Sequence, residues 1–229
     1  MRRGYENEQV EKEEGRGEVK QQDGKRMVQA AESLRSSRDD GAAPVRVAAA
    51  RVQRSLQVCQ AASLLCAQLD PSRSAAVRLI ELAEQLSELR DETVLLIDAD
   101  VRRRHATAEL GLQAEAGLTE YLGVGRPANS VVRPRVRERL DVLPTGRGWL
   151  GDSRRIHSAI ADLLQRVGRH RLVLVVAGPP DDPLTEAFQR CCHAAVLVLQ
   201  SGVSERERAL GAVSDAARGG GRLLGALVA

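Results

Sequence analysis

The chain has 229 residues, of which 43% are hydrophobic and only 2% aromatic, and its net charge at pH 7 is +3. This length suits one hydrophobic core with a tail, and the lack of aromatic side chains predicts a core of leucine, valine, isoleucine and alanine. The small net charge argues against general nucleic-acid binding, and no apolar run reaches the roughly 18 residues of a membrane span. We therefore expect a cytoplasmic protein without direct membrane insertion, which reaches the inner face of the membrane only through a partner.

The first part of the chain differs in composition from the rest. Residues 1–43 are rich in Glu, Arg, Lys, Gln and Gly and contain few bulky apolar residues. Such a segment cannot offset the entropy lost on ordering, so we predict a disordered charged tail followed by one folded domain over residues 44–229. Tyr5 in this tail is a candidate phosphorylation site for another kinase. The chain has three lysines, and all lie in the tail: Lys12, Lys20 and Lys25.

Short apolar runs alternate with helical patterns beyond Pro44. Most runs are continuous rather than alternating, which fits strands covered on both faces in a parallel sheet. The predicted strands are residues 58–67, 94–97, 140–143, 172–176, 194–199 and 223–228. Strands separated by helices imply right-handed βαβ units, so we predict a single α/β domain with a doubly wound, mostly parallel sheet. Its ligand site is expected at the carboxyl ends of the strands.

Two of the predicted helices carry clear start signals. A helix with leucines at spacings of three and four follows Asp70-Pro71, which is typical of an N-cap with proline at the first helical position. Ser204 and Glu207 form the pattern of a capping box before a later helix.

Four segments carry the strongest motifs of the sequence. An apolar strand ends in Asp-Ala-Asp-Val-Arg at 98–102, a G-L pattern runs over 110–122, Leu-Asp-Val-Leu-Pro-Thr-Gly spans 140–146, and an apolar run ends in a double proline at 174–180. In this order they resemble the bacterial tyrosine kinases of capsule and exopolysaccharide synthesis, which belong to the MinD/ParA-like P-loop ATPases. The resemblance covers roughly residues 46–228 and implies a P-loop NTPase-like fold.

The resemblance also implies a nucleotide site. Asp98 and Asp100 match the family's catalytic carboxylates, and Ser74 with Asp98 would contact Mg²⁺. Arg73 takes the place of the phosphate-binding lysine, and Arg102 completes the motif after the strand. We expect Mg-ATP to bind weakly or not at all, because the remaining parts of the site depart from the family pattern.

These departures are concentrated at the phosphate site. The turn at residues 67–74 has no glycine and no lysine, and Pro71 removes a backbone donor. Asp70, as a helix cap, would place its own carboxylate where an anion binds. Ala177 stands where the family has its Walker B aspartate, and the loss of one such electrostatic group costs about 3 kcal/mol of transition-state stabilisation. We expect a vestigial site with little or no phosphoryl transfer.

Two family features that serve assembly and substrate are incomplete. Members assemble through an E-x-x-R-x-x-R helix, of which Arg51 and Arg54 match the arginines while Ala48 replaces the glutamate. Members also phosphorylate a tyrosine cluster in their C-terminal tail, whereas this sequence has only Tyr5 and Tyr121. Homo-oligomerisation by this route is expected to be weak, and pairing with an intact kinase homologue stays open.

The leading hypothesis is a degenerate member of this family, a regulatory or scaffolding component of exopolysaccharide synthesis and export. Its expected partner is a membrane-anchored polysaccharide chain-length regulator or a kinase homologue. One alternative is an active but divergent ATP-binding tyrosine kinase or ATPase. The other is a MinD/ParA-like positioning protein that binds DNA through its arginines. Four arginines alternate between residues 133 and 139, which in an extended segment places them on one side.

Overall fold

The computed structural model describes residues 43–148, 156–218 and 222–229. The predicted tail, with Tyr5, therefore lies outside the described residues except for Ala43, where the first described helix begins. The boundary predicted at residue 44 remains a prediction. None of the described helices is both long enough and apolar enough to cross a membrane.

Helices and strands alternate along the described chain. The helices are α1 Ala43–Cys59, α2 Arg73–Arg90, α3 His105–Glu109, α4 Leu118–Val124, α5 Ala128–Val131, α6 Ile156–Val167, α7 Pro183–Cys191 and α8 Arg206–Arg218. The strands are β1 Ser63–Gln68, β2 Val94–Asp98, β3 Arg133–Arg137, β4 Leu140–Leu143, β5 Val173–Ala177, β6 Ala194–Leu199 and β7 Leu223–Val228.

All seven strands form one sheet in the order β3-β4-β2-β5-β1-β6-β7. The strands from β4 to β7 across this order pair in parallel, and β3 pairs antiparallel with β4 at one edge. Such an edge strand is common on an otherwise parallel sheet. The predicted α/β class and mostly parallel sheet are confirmed.

The core lies on both faces of this sheet. Because successive side chains of a strand point to opposite faces, Leu64 of β1 packs with Leu79 of α2 on one face. Leu65 packs on the other face in the same apolar cluster as Ile160 of α6 and Phe188 of α7. Burial on both faces explains why the strand sequences are continuous apolar runs.

Three local predictions were wrong. The apolar run at 58–67 is not one strand, because Val58 belongs to α1, where it is 73% exposed, and β1 begins only at Ser63. The N-cap of α2 is Ser72 rather than Asp70. Helix α8 begins at Arg206, and the Ser204 hydroxyl serves a tertiary contact described below.

The alternating arginines also fail to form one uniform face. Arg135 and Arg139 have positive φ angles of 51° and 55°, and the pairing of β3 with β4 is irregular between Arg133 and Arg137. A residue in the left-handed region interrupts the two-residue period of an extended strand. The prediction that these side chains share one side is therefore wrong.

Candidate functional site

The carboxyl ends of β1, β2 and β5 meet at one edge of the sheet, with β5 in the middle. Asp98 ends β2 and pairs in register with Val176 of β5, while Ala67 of β1 pairs with Ala177. The motif around Asp98, the turn after β1 and the double proline after β5 thus lie at the same edge. This is the position where doubly wound sheets bind ligands.

Asp98 is completely buried, and protein donors engage both of its carboxylate oxygens. Oδ2 accepts a hydrogen bond from the backbone N–H of Thr107 at 2.7 Å, and Oδ1 accepts one from Asp100 at 3.2 Å. Burial raises the pKa of this carboxyl above its usual value, although these hydrogen bonds act in the opposite direction. Through the hydrogen bond from Thr107, Asp98 connects the start of α3 to the end of β2.

Two threonines extend this network to the loop after β4. The hydroxyl of Thr107 donates to the Thr145 hydroxyl at 3.1 Å and accepts from the Thr145 backbone N–H at 2.9 Å. The Thr145 hydroxyl in turn donates to the backbone oxygen of Asp98 at 3.2 Å. The network thus connects two of the motif segments, 98–102 and 140–146, through Thr107 of α3.

Asp100 is also buried, being only 4% exposed, but its surroundings differ from those of Asp98. Its Oδ1 accepts a hydrogen bond from the backbone N–H of Arg103 at 3.2 Å. Its Oδ2 has no hydrogen-bond partner among the described residues. Asp100 therefore differs from Asp98, whose two carboxylate oxygens both accept hydrogen bonds.

The turn that should hold phosphates consists of four residues, Leu69 to Ser72, between β1 and α2. The hydroxyl of Ser72 accepts a hydrogen bond from the backbone N–H of Ala75 at 3.2 Å and shares another with the hydroxyl of Ser74. The Ser72 side chain thus satisfies one of the backbone N–H groups that have no partner within the helix. Arg73 forms an ion pair with Glu109 of α3 at 2.9 Å.

Asp70 contacts α8 and the loop before it instead of capping α2. Its carboxylate accepts hydrogen bonds from Ser204 Oγ at 2.7 Å and Arg208 Nη1 at 2.8 Å. The hydrogen bond from Ser204, followed by that from Arg208, lowers the pKa of Asp70 below its usual value. The prediction that Asp70 repels an anion as the cap of α2 is therefore wrong, because Ser72 is the cap and Asp70 binds Ser204 and Arg208.

The turn after β1 differs in sequence from a phosphate-binding P-loop. A P-loop of the G-x-x-x-x-G-K-[ST] type has about eight residues and wraps the phosphates with its backbone N–H groups. Here a four-residue turn leads directly into a helix capped by Ser72. Residues 69–72 contain neither the glycines nor the lysine of such a loop.

Two polar side chains that the sequence analysis missed complete the edge. Gln68, the last residue of β1, donates from Nε2 to the backbone oxygen of Ala177 at 3.0 Å. Thr185 in the first turn of α7 is 1% exposed. A Cβ placed on Gly178 would lie 3.8 Å from both Asp100 Oδ1 and Thr185 Oγ1. In the sequence, a glutamine at the end of a mostly apolar strand was the signal that could have identified Gln68.

The predicted arginines lie apart from this buried cluster. Arg102 is largely exposed and forms an ion pair with Asp182 at 3.4 Å, just before α7. Arg51 and Arg54 are exposed on α1, a helix that packs against α2. The structure therefore brings Asp98 and Asp100 together at the edge and places Arg51 and Arg54 on a separate surface.

The second and third family motifs contact each other beside the edge. The Glu120 carboxylate of α4 accepts hydrogen bonds from the backbone N–H groups of Gly117 at 2.7 Å and Arg147 at 2.8 Å. Burial raises the pKa of Glu120, but these hydrogen bonds outweigh it, so the pKa lies below its usual value. The G-L pattern and the L-P-T-G segment thus form one structural unit.

No protein-family model and no curated protein sequence matches the chain. Solved structures do match. The kinase domain of Escherichia coli tyrosine kinase ETK has a TM-score of 0.74 and 20% identity over 86% of this chain and 78% of that chain. The VpsO kinase domain has a TM-score of 0.70 and 18% identity, with coverages of 82% and 94%.

A more distant similarity extends to the septum site-determining protein MinD of Pyrococcus horikoshii, solved with Mg-ADP. Its TM-score is 0.55 at 17% identity, over 72% of this chain and 70% of that chain. At these identities the similarity establishes the fold. The chain has the fold that bacterial tyrosine kinase domains share with the MinD-like ATPases, as its four motifs predicted.

Proposed function

We propose that the protein is a degenerate tyrosine kinase-like component of exopolysaccharide synthesis and export, with a regulatory or scaffolding role and little or no phosphoryl transfer. The similarity of its fold to bacterial tyrosine kinase domains supports the kinase-like part of the proposal. The glycine-free turn between β1 and α2 supports the loss of activity.

One observation carries the proposal: the four-residue, glycine-free turn between β1 and α2. Phosphoryl transfer depends almost entirely on positioning and on electrostatic stabilisation of the transferred group. A helix start capped by Ser72 has no lysine at hand and fewer free N–H groups for phosphate oxygens. Arg73 is held by Glu109 and extends into solvent with 77% of its side chain exposed.

The remaining metal-binding positions point in the same direction. The strand end at Ala177 has no carboxylate, and the Asp98 oxygens already accept two backbone hydrogen bonds. An acid that holds the Mg²⁺ of a nucleotide needs free lone pairs directed at the metal. To bind the metal through Oδ2, Asp98 would first have to lose its hydrogen bond from the backbone N–H of Thr107 in α3.

For the scaffolding role, α1 offers an exposed surface. Val47, Arg51, Arg54 and Val58 are spaced so that they lie on one side of this helix, and all four are exposed. Apolar and basic side chains together favour a partner with a mixed apolar and acidic surface. The proposed partner is the cytoplasmic part of a membrane-anchored chain-length regulator, or a kinase homologue.

Isothermal titration with Mg-ATP tests the loss of nucleotide binding. We expect no saturable binding up to about 1 mM nucleotide, which corresponds to at most about 4 kcal/mol of binding free energy. A kinase assay on a tyrosine-containing peptide should give no ATP-dependent phosphorylation. Tight binding together with turnover would contradict the proposal.

The second candidate function is a divergent ATPase, and the free Oδ2 of Asp100 is the observation that favours it. In that case Mg-ATP binds with micromolar affinity, and Asp100→Asn abolishes the binding. The exposed Asp181→Asn, an acid of the same edge, is the control and should leave it unchanged.

Co-purification tests the scaffolding role. The full chain is mixed with the cytoplasmic segment of a chain-length regulator encoded near its gene, and complex formation is measured by light scattering after gel filtration. The double substitution Arg51→Glu with Arg54→Glu should weaken the complex at least tenfold. Arg169→Glu, an exposed arginine outside α1, is the matched control. Equal complex formation by both variants would exclude α1 as the docking surface.

A further inference from the structure

A cleft of about 480 Å³ lies at the amino edge of the sheet, where the parallel strands begin, and thus opposite the edge that carries the family motifs. It is lined by the connections from α1 to β1, from α2 to β2 and from α6 to β5. Because β2, β5 and β1 are neighbours and run in parallel, these three connections meet at one place. The volume lies within the range of about 300–1,000 Å³ that is typical of small-molecule sites.

Two arginines of this amino-edge cleft are held in place by other side chains. Arg90 forms an ion pair with Glu92, and Arg171 forms one with Asp141. The Nε atom of Arg171 also donates to the backbone oxygen of Val167 at 3.0 Å and so satisfies a carbonyl at the end of α6. Each of these two charges is balanced by one carboxylate, so the two side chains shape the cleft without adding net charge to it.

Arg169 and His170 differ from these two arginines. Both are exposed at the cleft, and in the described part of the chain neither side chain forms a hydrogen bond or an ion pair. Among the described residues Glu92 is the one acid that lines the cleft, and it is already bound to Arg90. The cleft therefore carries an unbalanced positive charge at Arg169. Capping of a helix end does not explain this charge, because Arg171 already has that role at α6.

Gln57 and Gln60 add neutral polar groups to the same cleft. A side-chain amide both donates to and accepts from hydroxyl groups, and a guanidinium group binds phosphate or carboxylate through two parallel N–H groups. We propose that the amino-edge cleft binds a small hydroxylated organic anion, a sugar phosphate or a sugar acid, with its charged group on Arg169 and His170. These four residues lie outside the four family motifs, and the inference does not rest on the proposed function.

Isothermal titration of the full chain with three matched sugars tests this site. The probes are glucose 6-phosphate, glucuronate and uncharged glucose, at constant ionic strength and without nucleotide. We expect saturable binding of at least one of the two anions and no binding of glucose, because the charged group provides the contact with Arg169. The anion that binds more tightly assigns the ligand to the phosphate or the carboxylate class. Its binding should also raise the melting temperature.

Substitutions locate the bound anion. Arg169→Gln should weaken its binding at least about tenfold, through the loss of a charged hydrogen-bond donor. Arg126→Gln removes the charge of an exposed arginine outside the cleft and should leave the binding unchanged. Ala62→Leu narrows the cleft without changing its charge and should also weaken the binding. Arg169 is exposed, so Arg169→Gln decides the matter if Ala62→Leu does not fold.

The inference is overturned if neither anion binds saturably, or if glucose binds as tightly as the anions do. Equal binding by the wild type and by Arg169→Gln also overturns it, because the anion would then be bound elsewhere on the chain. A negative result leaves the Mg-ATP experiment above unaffected, since that experiment measures nucleotide binding at the opposite edge of the sheet.

Discussion

Asp98 and Asp100 are separated by one residue, yet their carboxylates have different surroundings. Both carboxylate oxygens of Asp98 accept hydrogen bonds, from the backbone N–H groups of Thr107 and Asp100. One carboxylate oxygen of Asp100 has no hydrogen-bond partner among the described residues. The D-x-D spacing predicted both as site residues, but it did not predict that their carboxylates differ in hydrogen bonding. The difference arises from the start of α3, which folds back onto Asp98.

We predict that Asp98→Ala destabilises the protein in the absence of any ligand. The substitution leaves two buried N–H groups unpaired and opens space at the end of β2, so we expect a loss of about 2–4 kcal/mol in the free energy of unfolding. Urea denaturation measures this. Arg102→Ala is the control and should change stability by less than about 1 kcal/mol, because its ion pair is exposed. Wild-type stability of Asp98→Ala would show that this carboxylate has no structural role.

Glu120 gives a prediction about pH. Its pKa is lower in the folded chain, so its carboxylate stabilises the fold fully above the pKa of an unfolded glutamate, and this contribution is lost as pH falls through the folded value. Glu120→Gln should cost about 1–3 kcal/mol at pH 7. The difference from wild type should shrink as the pH falls below about 4.3. Chemical denaturation across this range measures it, and a difference independent of pH would contradict the assignment.

At the scale of elements, the family motifs correspond to tertiary contacts. The G-L segment before α4 and the L-P-T-G segment after β4 lie against each other, with no room for a Cβ on Gly117. Such a Cβ would lie 1.9 Å from the Pro144 oxygen and 2.6 Å from the Gly146 nitrogen, both backbone atoms. Only glycine fits at position 117, because the backbone of Pro144 and Gly146 lies so close. The sequence motif shows the glycine but not this reason for it.

Two glycine substitutions test this interpretation. Gly117→Ala should destabilise the fold by about 1–3 kcal/mol, because the backbone must move apart. Gly211→Ala, in the exposed part of α8 with nothing near its Cβ, should stabilise it by about 0.5–1 kcal/mol through helix propensity. Thermal denaturation of both variants gives the comparison, and equal effects would contradict a special role for Gly117.

For the whole molecule, the distribution of charge bears on the hypothesis of DNA binding. Arg133 pairs with Glu115 at 2.8 Å and Arg137 with Glu84 at 2.7 Å, and Arg139 forms an ion pair with Asp91. Acidic side chains thus already pair with three of the four alternating arginines. The phosphates of DNA would have to compete with these acidic side chains for the arginines.

We therefore predict that the protein does not retard duplex DNA in an electrophoretic mobility assay at low salt. Binding with a steep dependence on salt concentration would instead favour the positioning-protein alternative. The triple substitution Glu84→Gln, Asp91→Asn and Glu115→Gln, which frees the three arginines, should increase any residual binding. It serves as the positive control for the assay.

The sequence by itself determined the sheet class, most of the strands and the edge at which the motifs meet, because burial on both faces leaves continuous apolar runs. The prediction of a vestigial phosphate site also rests on the sequence, since lysine and glycine are missing from the turn. Tertiary structure alone decided that Asp70 binds Ser204 and Arg208 and that Thr145 contacts the backbone of Asp98. It also brought Gln68 and Thr185 to the same edge. Such contacts join residues far apart in the chain, and no local periodicity records them.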